Sequence, residues 1–335
     1  MRVFITGICG YLGSALAVRL ARRGFVIAGV DNLLYEQSSN KFESLFSMPE
    51  TRIDFNILDV RNAEILRSLV DSADPDVVVH FGDLSSVYSC SHNSCLTDEI
   101  NVAATKNLID LCSSRRIPML YNSTSSVYGM QSGRMDMKES DTLPNSLDSY
   151  CTSKLAIEKY LISKSTEDSS FCFTAFRPAT VFGLSPRFRI ELLPNHFCWS
   201  AVKTGIMRVS DLNASRAFIS VESIIEIYRT VLESSRFMNR VYNIGTYNLT
   251  KLDIALAIQE ITDAKIVTSP DVGDRRNLRI SSDSFEADYF KIPKPVIGDE
   301  LVPVVDFLQG HKEEILTSNY REMLNMPLDL WSKLI

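Results

Sequence analysis

The chain of 335 residues has little that would tie it to a nucleic acid or a membrane. Its formal net charge is −6, from 35 lysines and arginines against 41 acidic residues. No Lys/Arg run is present that could neutralise a phosphate backbone, so a nucleic-acid partner is not expected. No uninterrupted apolar stretch approaches the ~20 residues of a spanning helix. The opening residues, RVFITG, read as a strand and not as a charged-then-apolar leader. A soluble, cytoplasmic protein without a membrane partner is therefore expected. Cysteines are few and odd in number, seven, with no CxxC pair, which suits reduced thiols better than a disulfide framework. Cys90, His92 and Cys95 fall close together, but they are only three ligands with no second pair at zinc-finger spacing. The stretch reads as a loop, and no metal is expected.

What is present is the apolar content of an ordinary folded globule, 45%, enough for a sizeable core. β-branched runs (RVFITG, FVIAGVD, TRIDFNI, DVVVHFG, PMLYNST, FCFTAFRP) alternate with helical patterns over 11–23, 62–71, 99–114 and 150–163. Strands apolar on both faces, separated by helices, predict an α/β fold with a doubly wound parallel sheet covered on each side. Beyond Pro178 the regularity weakens. The turn-rich GLSPRFRIELLPN is followed by a helix over 196–203, a strand and helix within RVSDLNASRAFISVESIIEIYRTVLESS, the strand VYNIG, and a helix over 251–261. The expected organisation is a Rossmann-type domain over 1–180 and a smaller irregular α+β lobe over 181–335. Strand 241–245 would return to the main sheet, and the lobe would cover the strand ends where such folds bind ligands.

The first strand runs into TGICGYLG, which places Gly7, Gly10 and Gly13 at a strand-to-helix turn. Glycine there permits the tight turn and lets a pyrophosphate approach the N–H groups of a helix N-terminus. Asp31 ends the second strand; a carboxylate there accepts from both ribose hydroxyls and repels a 2′-phosphate, which favours NAD over NADP. A plain turn with a capping aspartate explains each feature singly, but not their coincidence. Asp59 and Val60, at the end of the third strand, suit the adenine, and Asp59 equally suits an N-cap for the helix near Asn62.

Tyr150 and Lys154 form Y-x-x-x-K on one helix face. An ammonium near a phenol stabilises the phenolate, lowering the tyrosine pKa from about 10 toward neutrality so that it can act as a base. Such a base needs a hydroxyl beside it to orient the substrate, and NSTSS offers one at the end of a strand.

The elements TGICGYLG, VDNL, LDV, VVHFGDLSSV, NVAATKNL, STSSVYG, YCTSK, RPATVFGLSPR, SRAFISVES and YNIG occur in this order over nearly the whole chain. In them the sequence resembles the extended short-chain dehydrogenase/reductase superfamily, in particular its nucleotide-sugar epimerase and dehydratase branch. The resemblance implies NAD held by Gly7, Gly10, Gly13, Tyr11, Leu12, Asp31 and Asn32, with Asp59 and Val60 near the adenine. It implies Phe81 and Gly82 in the cofactor pocket, and Asn101 as the asparagine that supports the site. Thr124 matches the catalytic hydroxyl and Tyr150 the base; Lys154 would also hold the nicotinamide ribose. Arg216 and Arg276, or Arg275 beside it, resemble the arginines that grip a substrate pyrophosphate, a task suited to planar guanidinium.

Several residues depart from the family's pattern. Dehydratases of this branch carry Asp-Glu directly after the catalytic threonine, where this chain has Ser125 and Ser126, neither of which titrates near neutral pH. Thr180 replaces an asparagine and Phe182 a tyrosine in RPATVFG. Asp83 stands where a small residue is usual, and reads either as a solvated carboxylate capping the next helix or as an extra acid/base. Arg187, Arg189 and Asn195 are candidates for substrate phosphate or sugar contacts, or else surface residues of a loop. His196, Cys9 and Cys151 read as structural. The function expected is an NAD-dependent nucleotide-sugar 4-epimerase. The alternatives are a dehydratase, decarboxylase or dehydrogenase sharing oxidation at C4, and a non-catalytic NAD-binding scaffold. The resemblance also implies a homodimer formed through the helices over 99–114 and 150–163.

Overall fold

The computed structural model describes residues 1–34, 42, 46–47, 52–129, 136–141, 143–144, 148–270 and 277–313. Seven strands form the main sheet: β1 (Arg2–Thr6), β2 (Val26–Asp31), β3 (Asp54–Ile57), β4 (Val77–His80), β5 (Met119–Asn122), β6 (Phe173–Pro178) and β10 (Arg240–Ile244). Their order is β10-β6-β5-β4-β1-β2-β3, and every pair is parallel. Every residue of β4 and of β6 is buried, as expected of central strands covered on both faces. The order reverses between β1 and β4. Ligands of such sheets bind beyond the carboxyl ends at that reversal.

The helices are α1 (Tyr11–Arg22), α2 (Ala63–Ala73), the short α3 (Val87–His92), α4 (Thr105–Arg115), α5 (Ser149–Glu167), α6 (Leu193–Thr204), α7 (Val221–Ser234), α8 (Lys251–Thr262), the short α9 (Asp283–Asp288) and α10 (Ile297–Gly310). α1 packs on α7, and α4 packs on both α2 and α5. On α1 the apolar spacing buries Leu16 and Leu20 completely, each contributing roughly 1.5–3 kcal/mol. None of the helices among the described residues is long and apolar enough to cross a membrane.

The second half differs in detail from the sequence reading. RVSDLNASRAFIS is two strands, β8 (Ile206–Val209) and β9 (Ser215–Ser220), because Asp211 takes a left-handed conformation (φ 50°) and its carbonyl accepts from the Ala214 N–H at 3.0 Å. β9 lies between β7 (Thr180–Phe182) and β11 (Tyr247–Thr250), and β8 pairs with β12 (Lys265–Thr268). A second core unites Phe182, Phe188, Phe197, Ile254, Leu301 and Val305 beneath these sheets. The helix expected over 99–114 begins as a π-helical segment, Asp98–Ala104, before α4. The Cys90–Cys95 stretch is not a loop. Ser86 caps α3 through the Ser89 N–H, and Asn93 caps the turn Ser94–Thr97 through the Leu96 N–H.

Candidate active site

The glycine turn is built backbone against backbone. Gly7 has φ 69°, and a Cβ on it would lie 2.5 Å from the Phe81 carbonyl oxygen; one on Gly13 would lie 2.1 Å from the Gly7 oxygen. Any side chain at either place collides with main chain. Gly10 caps α1 without a side-chain bond, leaving the first-turn N–H groups uncapped in the way an anion-binding helix end requires. Asp31 accepts from the Cys9 N–H at 3.0 Å and the Leu33 N–H at 2.8 Å. Burial raises its carboxyl while these bonds and the nearby Arg187 oppose the rise. Gly7, Gly10, Tyr11, Leu12, Gly13, Asp31, Asn32, Val60, Phe81 and Gly82 line one cavity of about 400 Å³ together with Thr124, Tyr150 and Lys154. The cradle fits a dinucleotide, with the hydroxyl, phenol and ammonium at its far end.

Those three groups meet through local structure. Thr124 leaves β5 in an extended conformation and caps the 3-10 turn Ser125–Tyr128, its hydroxyl accepting from the Ser126 N–H at 3.1 Å. Asp148 caps α5 through the Cys151 N–H at 2.8 Å, setting Tyr150 in the first turn and Lys154 in the next. Thr124 is close enough to Tyr150 to favour its phenolate. The Lys154 ammonium donates to the Asn122 carbonyl at 2.6 Å and lies 4.8 Å from the Tyr121 ring centroid and 5.9 Å from that of Tyr150. Its remaining partner is Asp83, whose carboxylate it contacts directly. Asp83 is neither solvated nor a helix cap: its side chain is 2% exposed, and His80 Nε2 lies 3.1 Å from one oxygen while the Thr105 hydroxyl donates to it at 3.3 Å. Burial alone would raise this carboxyl, but Lys154 and His80 hold it below the usual carboxylate range. Asp83 in turn keeps Lys154 charged against desolvation. The phenol does not follow the sequence reading either. Burial raises the Tyr150 pKa above its ordinary value, and Lys154 and Thr124 oppose this only in part.

Comparison with known proteins agrees with this geometry: residues 3–245 match the NAD dependent epimerase/dehydratase family. The chain belongs to that family. NAD is the family's cofactor, and the glycine cradle fits it. Among relatives, the chain is 26% identical over 275 residues to the CDP-paratose 2-epimerase of Salmonella typhi, covering 73% of this chain and 79% of that protein. The UDP-glucose 4-epimerase of Thermus thermophilus, solved with NAD, superposes with TM-score 0.78 at 22% identity over 92% of this chain and 99% of the other. The dTDP-glucose 4,6-dehydratase of Bacillus anthracis, also solved with NAD, gives 0.79 at 21% over 97% and 100%. Epimerases and dehydratases share the fold, so the fold alone does not separate them.

Other residues expected at the family's site divide. Ser126 and Thr180 line the main cavity and, with Ser125 and the buried Arg216, a small adjoining one of about 50 Å³. Arg187 lies by Asp31, at the cofactor end. Arg189 faces Tyr150 and donates to the Ser85 hydroxyl at 3.3 Å and to Glu191 at 2.6 Å. Arg275 and Arg276 lie outside the described residues.

Three of the expected residues are engaged within the protein itself. Asp59 does not line the cavity, nor does it cap α2, which Asn62 does. It accepts from Arg61 at 3.0 Å and Asn32 at 3.1 Å, and the Arg61 bonds hold its carboxyl down to about 2. Asn101 is a buried brace, bonded to both backbone groups of Leu84 and to Ser153, and so ties the loop after β4 to α5. Asn195 is fully buried: it accepts from the Gly183 N–H at 2.9 Å and donates to the Arg189 carbonyl at 2.8 Å, and so shapes the loop that carries Arg189.

The sequence reading missed Glu158, Arg177 and His80. Arg177 donates to both oxygens of Glu158, at 2.9 and 2.6 Å, fastening α5 to β6. The signal was available, since Glu158 stands four residues past Lys154 and Arg177 is the one charged residue of the strand FTAFRP.

Proposed function

We propose that the chain is an NAD-dependent nucleotide-sugar 4-epimerase acting through a transient 4-keto sugar. The observation that carries this reading is the meeting of Thr124, Tyr150 and Lys154 in one cavity where Ser125 and Ser126 stand in place of a dehydratase's acid and base. Thr124 orients the sugar 4-hydroxyl and Tyr150, as phenolate, takes its proton. Lys154 holds the charge of that phenolate and fixes the geometry around it. Bound NAD supplies the reversible acceptance of hydride from C4. After the keto sugar turns over and C4 has taken back hydride on its other face, Tyr150 returns the proton to the same C4 oxygen. Arg216 and Arg189, with Arg275 or Arg276, are the cations proposed for the diphosphate. Among the described residues, the acidic ones that line the cavity are Asp31, Asp83 and Glu191, and each is engaged. Among these described carboxylates none is left to remove water across the sugar, which supports the epimerase against the dehydratase. The reading includes a homodimer through α4 and α5, checked by sedimentation.

The test is incubation with a panel of nucleotide sugars, with and without added NAD, followed by mass spectrometry and NMR. A new isomer of unchanged mass is expected. Loss of water or carbon dioxide, or accumulation of NADH, would sink the reading, and an inert panel would favour a scaffold.

A further inference from the structure

The Asp83 carboxylate has no part in the chemistry proposed above, yet it is among the most tightly held groups in the molecule. Its oxygens are engaged by Lys154, His80 and Thr105. His80 is itself fixed, its Nδ1 lying 2.6 Å from the Thr6 hydroxyl and its Nε2 3.0 Å from that of Thr105. The carboxylate is thus anchored on β4 and α4 and presented to an ammonium on α5.

We infer that Asp83 is a positioning residue of the catalytic pair: it holds Lys154 in place and offsets its charge, so that Tyr150 stays a neutral phenol until further positive charge enters the pocket. The inference rests on reading Tyr150 as the base. An ammonium in contact with a carboxylate presents to a phenol on its other side a nearly neutral pair and not a point charge. The other groups facing the phenol are Thr124 from the end of β5, Cys151 on its own helix, and Arg189 from the loop after β7. Those facing the pair are His80 from β4, Tyr121 from β5 and Cys90 from α3. Burial of the phenol therefore wins. Tyr150 would gain its base form when an oxidised, cationic nicotinamide shares the pocket, and revert to an acid when that charge is lost. Both forms are needed, one in each half of an epimerisation.

The test is a spectrophotometric titration of tyrosinate in the full chain freed of cofactor, with a Tyr150→Phe chain subtracted to isolate Tyr150. Tyr150 is expected to ionise above about 10. In Asp83→Asn and Asp83→Ala it should move down by about one pKa unit or more, and in a Lys154→Met background the same substitutions should move it much less. An unchanged titration overturns the inference, as does an equal shift without Lys154. Loss of cooperative melting in both Asp83 variants would make the residue a determinant of the fold and overturn it as well. No sugar enters this measurement, so a failed epimerase assay does not alter its outcome.

Discussion

Glu158→Ala gives the sharpest test of how the catalytic helix is held. Glu158 is one turn past Lys154 on α5, its side chain 4% exposed, and Arg177 opposite is 7% exposed. Two charge-assisted bonds join them, at 2.9 and 2.6 Å, and the Ser123 hydroxyl donates to the same carboxylate. With the carboxylate gone, the guanidinium keeps only its bond to the Tyr128 hydroxyl at 2.9 Å. It remains buried, with its side chain 7% exposed. Removing one partner of a buried pair in this way typically costs about 3–5 kcal/mol. Removing both charges together is far milder, because the pair's attraction largely repaid its own desolvation. Glu158→Leu combined with Arg177→Met should therefore cost clearly less than Glu158→Ala alone, a coupling that additive effects could not produce. Urea unfolding monitored by circular dichroism measures both, with a lowered midpoint and an unchanged slope expected. A loss under about 1 kcal/mol for Glu158→Ala, or a double variant as unstable as the sum of its singles, would refute the reasoning.

Further outcomes follow from the same geometry. Tyr150→Phe should lower turnover by roughly 10²–10⁴-fold and leave NAD affinity within a few-fold, as read by calorimetry; retained turnover would remove Tyr150 as the base. Gly13→Ala would set its Cβ 2.1 Å from the Gly7 oxygen, so NAD affinity should fall at least about tenfold, or ~1.4 kcal/mol, in the same calorimeter. Burial lowers the His196 pKa, so the unfolded chain binds this proton more readily than the folded one. Its contribution to stability is present above the ordinary imidazole value of about 6.5 and is lost as the pH falls below it. A His196→Asn chain should lack that part of the acid destabilisation in melts taken from pH 7 downward.

The large parallel sheet was legible because its signals are local: apolar runs alternate with helical spacing, and the glycine turn follows the first strand. The small lobe was not. β7, β11 and β12 are of three or four residues each, too short for a period to declare itself, and α10 carries Pro303 in its interior, which reads as a helix breaker. At the site, the groups with local signals are those the structure brings to one cavity, Thr124 at a strand end and Tyr150 and Lys154 one turn apart. Residues whose partners lie far along the chain carried no such signal. Asn195 and Asn101 offer the same amide whether it faces a ligand or a backbone, and only the fold decides which.

Asp83 carries this furthest. In HFGD a carboxylate follows directly on a buried strand, where the default is a solvated loop, and nothing nearby in sequence contradicts that. Its partner, Lys154, comes 71 residues later on α5, where its ammonium reaches the Asn122 carbonyl at the end of β5 and there meets the carboxylate that follows β4. The effect reaches the Y-x-x-x-K pair itself. Y-x-x-x-K alone predicts a phenol pulled toward neutrality, yet the burial of Tyr150 outweighs the opposing pull of Lys154 and the shift has the opposite sign. The motif fixes which groups are adjacent. The acidity of the base is set by what else lies within a few ångströms of the ammonium, so a change from carboxylate to a small residue at position 83 should retune Tyr150 without touching it.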